Sequence, residues 1–266
     1  MNVRNKVIVV TGAGGGLGRE LVLGLLVKGA KVIALDKDGE GLAQTRKIAI
    51  QNQECLSSYV VDLTDKENLE SVIQAILATS GGIDGIINNA GIIQPFVKLN
   101  ELRHDTIERV FAVNFFGTLY MIKFLLPHLL TRPEAQIVNI ASMGGFLPVP
   151  GQTIYCASKA AVKLLTEGLE AELRTTGVRV LVVFPGAIKT SIMTNSGLAA
   201  AGQGHTAQGS GKILDPQVAA TRIIAAMEAN KSRVCVGKDS KVMDALYRIS
   251  PKLASNLIYK KMKHKI

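Results

Sequence analysis

TGAGGGLG occupies residues 11–18, directly after the apolar run VIVV at residues 7–10. Glycines tolerate positive φ and let the backbone approach a pyrophosphate closely, which then lies at the N-terminus of the following helix. A glycine-rich turn between a strand and a helix can also form without any ligand. Its position after the first strand of a predicted βαβ unit favours a dinucleotide-binding site.

Apolar, β-rich runs alternate with helix-length stretches along the rest of the chain. Near-continuous Val/Ile strands with helical crossovers predict an α/β fold with a parallel sheet covered on both faces. No internal repeat and no interdomain linker is visible, so we predict one domain over residues 1–237 and a helical tail over 238–266 that is not an independent domain. The predicted strands are Lys6–Val10, Lys31–Leu35, Leu56–Val61, Gly85–Asn88, Gln136–Ile140, Val178–Phe184 and Val234–Val236, and helices begin near Gly16, Leu42, Lys66, His104, Gln152 and Pro216.

Composition limits the class of protein. A hydrophobic content of 47% with 20% charged residues is ordinary for a globular chain and excludes general disorder. Three widely spaced cysteines give no disulfide framework, which predicts a reducing, cytoplasmic location. The first apolar run is too short for a signal peptide, and no stretch of about 20 residues is free of polar groups, so no membrane-spanning helix is expected.

The net charge of +10 is concentrated at the C-terminus. From Lys231 onward there are ten Lys/Arg and two Asp/Glu, whereas the preceding 230 residues contain 21 basic and 19 acidic side chains. The body is therefore almost neutral. This distribution argues against a body that binds nucleic acid.

Tyr155 and Lys159 lie four residues apart in the sequence YCASK. On a helix these positions share a face, one turn apart. A cation at that range favours the phenolate and lowers a tyrosine pKa by about 1–3 units from its reference value of about 10. We therefore expect a pKa closer to neutrality, where a tyrosine can act as a general acid or base. The same spacing occurs by chance on many solvated helix faces, so its meaning depends on the motifs upstream.

Those motifs occur in order at predicted strand ends: TGxxxGxG after the first strand, NNAG at residues 88–91, Ser142, Tyr155 with Lys159, and Pro185-Gly186. Over roughly residues 5–237 the chain resembles the short-chain dehydrogenase/reductase family. The resemblance implies a doubly wound Rossmann sheet of seven parallel strands, in the order 3-2-1-4-5-6-7, with helices on both faces. It also implies an oxidoreductase that uses a nicotinamide dinucleotide.

The resemblance implies contacts of Asp62-Leu63 with adenine, of Asn89 with the ribose region, and of Ile188 and Thr190 with the carboxamide. A carboxylate at Asp36, after the second strand, can accept from the ribose 2′-OH and repel a 2′-phosphate, so NAD is favoured over NADP. Gly15 agrees, because family members that prefer NADP usually have Arg or Lys there, whereas Lys37 could tolerate a phosphate. The complete implied cofactor set is Gly12, Gly14, Gly15, Gly16, Leu17, Gly18, Asp36, Asp62, Leu63, Asn89, Ala90, Gly91, Tyr155, Lys159, Pro185, Gly186, Ile188 and Thr190.

Four residues occupy the positions of the family's catalytic tetrad. Tyr155 is implied as the proton relay, Lys159 as the group that lowers its pKa and binds the nicotinamide ribose, and Ser142 as the group that orients the substrate carbonyl. Asn114, a lone amide in an apolar helix, is implied to extend the relay to Lys159 through water; a satisfied core amide is the alternative. His104, His128, His205 and His264 are scattered, so no metal is assigned.

The leading hypothesis is an NAD(H)-dependent oxidoreductase that interconverts a secondary alcohol and a ketone. The alternatives are a 3-oxoacyl thioester reductase and, in another class, a catalytically silent dinucleotide-sensing protein. A mostly apolar predicted substrate surface favours a lipophilic substrate over a sugar or hydroxy acid. The residues that the resemblance implies for that surface are Gln94, Phe96, Met143, Gly144, Phe146, Gln152, Ile192 and Met193, together with Ser142 and Tyr155.

Three further segments lead to predictions about assembly, loop structure and the tail. The stretch Val110–Leu126 is apolar almost all round, which predicts a homo-oligomer, a dimer or a tetramer. Residues 196–212 are rich in Gly, Ala, Gln and Ser, and are either a surface loop or an active-site lid. In the tail, apolar residues recur at helical spacing and end in the basic cluster 260–265. We favour packing of this stripe on the body or a neighbouring subunit, with docking on an anionic membrane surface as the alternative.

Overall fold

The computed structural model describes residues 1–50, 52–190, 192–198 and 213–263. Its sheet has seven parallel strands in the order β3-β2-β1-β4-β5-β6-β7, which confirms the predicted topology. The strands are β1 (Val7–Thr11), β2 (Lys31–Asp36), β3 (Leu56–Val60), β4 (Gly85–Asn88), β5 (Ala135–Ile140), β6 (Val178–Pro185) and β7 (Arg233–Val236).

Helices cover both faces of this sheet. One apolar core lies between the sheet and α1 (Gly16–Val27), α2 (Gly39–Ile48) and α8 (Pro216–Glu228). The other lies under α3 (Lys66–Thr79), α5 (Thr118–Leu129) and α6 (Thr153–Glu172). The helix α2 begins three residues earlier than the predicted Leu42, because the Asp38 side chain accepts a hydrogen bond from the Gly41 amide and caps the helix there.

The carboxyl edge of the sheet gathers the motifs. β1 ends at Thr11, β4 at Asn88, and β5 two residues before Ser142, while β6 ends at Pro185. In a parallel doubly wound sheet, ligands bind at this edge, where the chain order reverses between neighbouring strands. Here the reversal falls between β1 and β4.

A continuous helical segment covers the second face. It consists of α4 (His104–Phe111), a π-helical turn (Ala112–Gly117) and α5. Contrary to our expectation, His104–Leu129 is long and apolar enough to cross a membrane by length and composition alone. Met121, Leu125 and Leu129 are nevertheless packed into the core against the sheet, as in a core helix of a globular domain.

The C-terminal tail packs on the body with one face. It forms α9 (Lys238–Ile249) and α10 (Pro251–Met262), after a four-residue helix α7 (Ile192–Asn195) earlier in the chain. Ala254 and Ile258 cluster with Leu147 of the body. This is the packing that we favoured for the tail. Residues 199–212, most of the proposed loop or lid, lie outside the described residues.

Candidate active site

The glycine turn folds back on itself, so that its first and last glycines are in close contact. Gly12 has φ +66°, and a Cβ at Gly18 would overlap the Gly12 carbonyl oxygen, so side chains at these positions would force the turn apart. The turn borders a cavity of about 330 Å³ at the carboxyl edge of the sheet. The predicted residues that line it are Gly12, Gly15, Gly16, Leu17, Gly18, Asp36, Asp62, Leu63, Asn89, Ala90, Gly91, Ser142, Tyr155, Lys159, Pro185, Gly186, Ile188 and Thr190.

Asp36 lies at the end of β2 and shapes the cavity. Its Oδ2 accepts from the Gly14 amide at 2.8 Å, and its Oδ1 accepts from the Asp38 amide at 3.0 Å. Gly14 itself does not line the cavity; a Cβ there would lie 3.0 Å from Asp36 Oδ2. The role of Gly14 is thus to let the carboxylate approach the glycine turn. Lys37, which could tolerate a 2′-phosphate, also lines the cavity.

Thr11, which the sequence reasoning did not single out, joins β1 to the NNAG segment. Its buried hydroxyl accepts from the amides of Asn89 at 3.0 Å and Ala90 at 3.1 Å. The Asn89 side chain donates in return to the Thr11 carbonyl at 3.0 Å. The sequence feature that could have indicated this role is the position of Thr11, which immediately precedes the first glycine at the C-terminal end of a strand.

Asn114 lies in the π-helical turn and is fully buried. Such turns are rare and recur at functional sites. Its Oδ1 accepts from the Ile92 amide at 2.8 Å, and its Nδ2 donates to the Ile92 carbonyl and to Ser158 Oγ, each at 3.0 Å. The amide is therefore satisfied in the core. It also lies near Lys159, because a Cβ at Gly91 would be 3.3 Å from Asn114 Oδ1 and 3.2 Å from Lys159 Nζ.

Lys159 is buried, and its Nζ donates to the Ile140 carbonyl at 2.8 Å. Burial disfavours the ammonium and lowers the pKa of Lys159 to about 8. The lysine therefore remains mostly protonated at neutral pH. Its charge lies at the wall of the cavity, next to Gly91.

Tyr155 differs from the expectation of a lowered pKa. Burial is the largest effect and raises the pKa of its phenol to about 12, while the neighbouring Ser142 hydroxyl acts in the opposite direction. In this arrangement Tyr155 is a protonated phenol at neutral pH, which suits proton donation.

Ser142 caps the turn that follows β5. Its Oγ accepts from the Gly144 amide at 3.0 Å, which fixes the side chain at the cavity wall beside Tyr155. A hydroxyl that accepts one hydrogen bond keeps its own proton free to donate. Ser142 can therefore orient an oxygen atom of a bound molecule toward Tyr155.

Gln94 and Gln152 depart from their predicted role as substrate contacts. Gln94 is fully buried; its Oε1 accepts from the Ile154 and Tyr155 amides at 2.8 and 3.0 Å, and its Nε2 donates to the Gly151 carbonyl at 3.1 Å. Gln152 donates to the Gln94 carbonyl at 2.8 Å. These amides hold the start of α6, and thereby the backbone of Tyr155. Phe146 packs edge-on against Phe184 and does not line the cavity.

The chemistry of the cavity fits a dinucleotide. The close glycine backbone offers amide groups at the start of α1, Asp36 offers a carboxylate at one end, and Tyr155, Lys159 and Ser142 offer a proton donor, a cation and a hydroxyl at the other. Among the described residues no group of three or more His, Cys, Asp or Glu side chains could hold a metal ion.

Known proteins share this architecture. A model of the short chain dehydrogenase family matches residues 6–200. The putative oxidoreductase SadH of Mycobacterium tuberculosis is 35% identical over 253 residues, which span 92% of this chain and 90% of SadH.

Two solved structures are similar over nearly the whole chain. A short-chain dehydrogenase/reductase from Burkholderia phymatum in complex with NAD is 27% identical, with a TM-score of 0.85, over 95% of this chain and 96% of that one. A short-chain dehydrogenase from Burkholderia cenocepacia in complex with NADP is 26% identical, with a TM-score of 0.80, over 97% and 99%. The chain belongs to the short-chain dehydrogenase/reductase family of oxidoreductases.

Proposed function

We propose that this protein is an NAD(H)-dependent oxidoreductase that interconverts a secondary alcohol and its ketone. The observation that carries the proposal is the single cavity that Tyr155, Lys159 and Ser142 share with the glycine turn and Asp36. A binding protein without turnover would need neither a partly buried phenol nor a buried ammonium at that place. Removing these two groups from water lowers the stability of the fold, so their presence in the cavity favours a functional role.

Ser142, Tyr155 and Lys159 have separate roles in the reduction of a ketone. A bound nicotinamide dinucleotide supplies the hydride. Ser142 holds the substrate oxygen, and Tyr155 donates its proton to that oxygen, leaving a phenolate. The Lys159 ammonium stabilises the phenolate and can return a proton to it. Lys159 Nζ and Asn114 Oδ1 both lie beside Gly91, which lines the cavity, so we place the return of a proton to Lys159 on that side.

A lipophilic substrate fits the lining better than a hydroxy acid or sugar. Near the catalytic groups the cavity is lined by Ile93, Val113, Ile188 and Ile192, and the described part of the lining contains no arginine. A substrate carboxylate would normally require such a cation. We therefore favour alcohols of apolar ring systems or acyl chains.

The test is a substrate screen with NAD and NADP in both directions, in which the reduced nicotinamide is followed by its absorbance. The panel contains secondary alcohols and ketones of increasing apolar size, hydroxy acids, and a 3-oxoacyl thioester. Turnover of apolar ketones supports the proposal, and selective turnover of the thioester favours the acyl reductase instead. If the protein binds the dinucleotide but converts none of the panel, a sensing role becomes the better interpretation.

Asp36→Asn should shift cofactor preference toward NADP. The exchange keeps the size of the side chain and an oxygen for the Gly14 amide, but it removes the charge that repels a 2′-phosphate. We expect the ratio of kcat/KM for NAD to that for NADP to fall by about 10-fold or more, since hydrogen bonds to charged groups contribute about 1.5–3 kcal/mol.

Asp38→Asn is the matched control, because it removes the same charge two residues away at a helix cap outside the cavity. Its NAD to NADP ratio should stay at the wild-type value. An unchanged ratio in Asp36→Asn would show that Asp36 does not select the cofactor.

We also propose that the protein is a homo-oligomer, a dimer or a tetramer. Phe116 and Leu164 are exposed on neighbouring helices of the second face, and Phe116 continues into a row of rings with Tyr120 and Phe124. A partner subunit would bury this surface. Analytical ultracentrifugation at micromolar concentration should give an oligomer, and Leu164→Glu should weaken it. A monomeric wild-type protein would contradict the proposal.

A further inference from the structure

The outward face of the C-terminal helices carries exposed apolar side chains. On α9, Val242 and Ile249 are 64% and 83% exposed, with Ala245 between them on the same side of the helix. On α10, Leu253 and Leu257 lie one turn apart and are 52% and 48% exposed. The inward face of the same helices is packed on the body through Ala254 and Ile258. The tail thus has two apolar faces, and only one of them is used by the described part of the chain.

The same surface carries concentrated positive charge. Both acidic residues of the tail are engaged: Asp239 accepts from the Ala187 amide at 2.8 Å, and Asp244 pairs with Arg233 and Arg248. The lysines have no such partners, since no ion pair within the described ranges includes Lys238, Lys241, Lys252, Lys260, Lys261 or Lys263. All six are exposed.

Charge decides which occupant fits this face. A second copy of the tail would place lysines against lysines and leave their charge uncompensated. An anionic lipid surface satisfies both properties at once, because it attracts the lysines and accepts the apolar side chains at the boundary between headgroups and acyl chains. We propose that α9 and α10 dock the protein on an anionic membrane surface through Val242, Ile249, Leu253 and Leu257, with the lysines around them.

The position of α10 gives this docking a consequence for the enzyme. A second cavity, of about 370 Å³, lies between α10, the loop at residues 148–150 and the start of α6. Tyr259, which is 55% exposed, and Cys156, the neighbour of Tyr155, both line it. A docked tail would therefore hold the region around the catalytic tyrosine close to the bilayer, where apolar substrates dissolve. This consequence depends on the proposed lipophilic substrate, whereas the docking itself does not.

The experiment measures sedimentation of the full chain with lipid vesicles. Binding to phosphatidylglycerol-containing vesicles should exceed binding to pure phosphatidylcholine vesicles and should fall steeply as salt is added. Lys260→Gln/Lys261→Gln should weaken binding by about 30-fold, because each lysine near such a surface contributes about fivefold. Leu253→Gln/Leu257→Gln should weaken it by at least about 10-fold.

Matched controls carry the same changes on other surfaces. Lys66→Gln/Lys98→Gln alters net charge equally, and Val27→Gln/Ile50→Gln removes two apolar side chains that are even more exposed, at 75% and 84%. Both should bind vesicles as the wild type does, and thermal melting checks that every variant is folded. Three results would overturn the proposal: no binding of wild type to anionic vesicles, equal losses in tail and control variants, or dissociation of a soluble oligomer by the leucine exchanges. Because vesicle binding is measured without turnover, its failure leaves the proposed reaction untouched.

Discussion

Tyr155→Phe should reduce turnover by at least about 10²-fold, the lower end of what a positioned general acid contributes. The exchange keeps the ring in its buried place and removes the one atom that can pass a proton to the substrate oxygen. The dinucleotide should still bind, because the glycine turn and Asp36 are unaffected. Steady-state kinetics with the best substrate of the screen, and titration of the reduced nicotinamide by its fluorescence, measure the two quantities separately.

Tyr59→Phe is a suitable control, since Tyr59 lies on β3 outside the cavity and loses the same hydroxyl. Its kcat should match that of the wild type. Near-normal turnover in the Tyr155 variant would remove this residue from the reaction, and loss of dinucleotide affinity together with turnover would point to a collapsed site.

Much of the fold follows from local sequence patterns. The inner strands are buried, and their Val/Ile runs can be recognised without knowing their neighbours; β4 was predicted with its observed bounds. The order of the strands was predicted from the family resemblance alone. The start of α2 was missed because the Asp38 cap competes with apolar periodicity in setting the first turn.

The details of the site depend on contacts between distant segments. Nothing near Gln94 indicates that its amide will hold the first turn of α6, 60 residues later. Likewise, the four-residue spacing of Tyr155 and Lys159 is correct as a helix motif, yet it does not reveal the Ile140 carbonyl that engages the ammonium. The expected shift of the Tyr155 pKa was downward, whereas burial, which the spacing does not reveal, shifts it upward. Spacing predicts which side chains share a face, whereas solvation is set by the assembled fold.

Replacing Lys159 should have opposite effects on activity and stability. Lys159→Met keeps a long side chain in the buried position of Lys159 and removes the ammonium. Turnover should fall by at least about 10²-fold, because the phenolate left after proton donation loses its stabilising charge. Lys163→Met, one turn later on α6, is the matched control: Lys163 is paired with Glu167 at the surface, so neither activity nor stability should change appreciably.

The stability effect follows from the pKa of Lys159, which burial lowers from 10.5 to about 8. Below pH 8 the lysine is charged in both the folded and unfolded states, so the full cost of burying the ammonium opposes folding. Between pH 8 and 10.5 the unfolded chain binds more protons than the folded one, so the wild-type free energy of unfolding rises with pH. The variant bears no such cost and should be more stable at neutral pH.

The burial cost is on the order of 3 kcal/mol, and loss of the hydrogen bond to the Ile140 carbonyl offsets part of it. We expect the melting temperature of Lys159→Met to exceed that of the wild type by a few degrees at pH 7, with the difference shrinking as the pH approaches 10.5. Melting curves across that range measure both trends. A variant that is less stable than the wild type at every pH would mean that the ammonium is held without a burial cost, and that its place in the site stabilises the fold as well as the reaction.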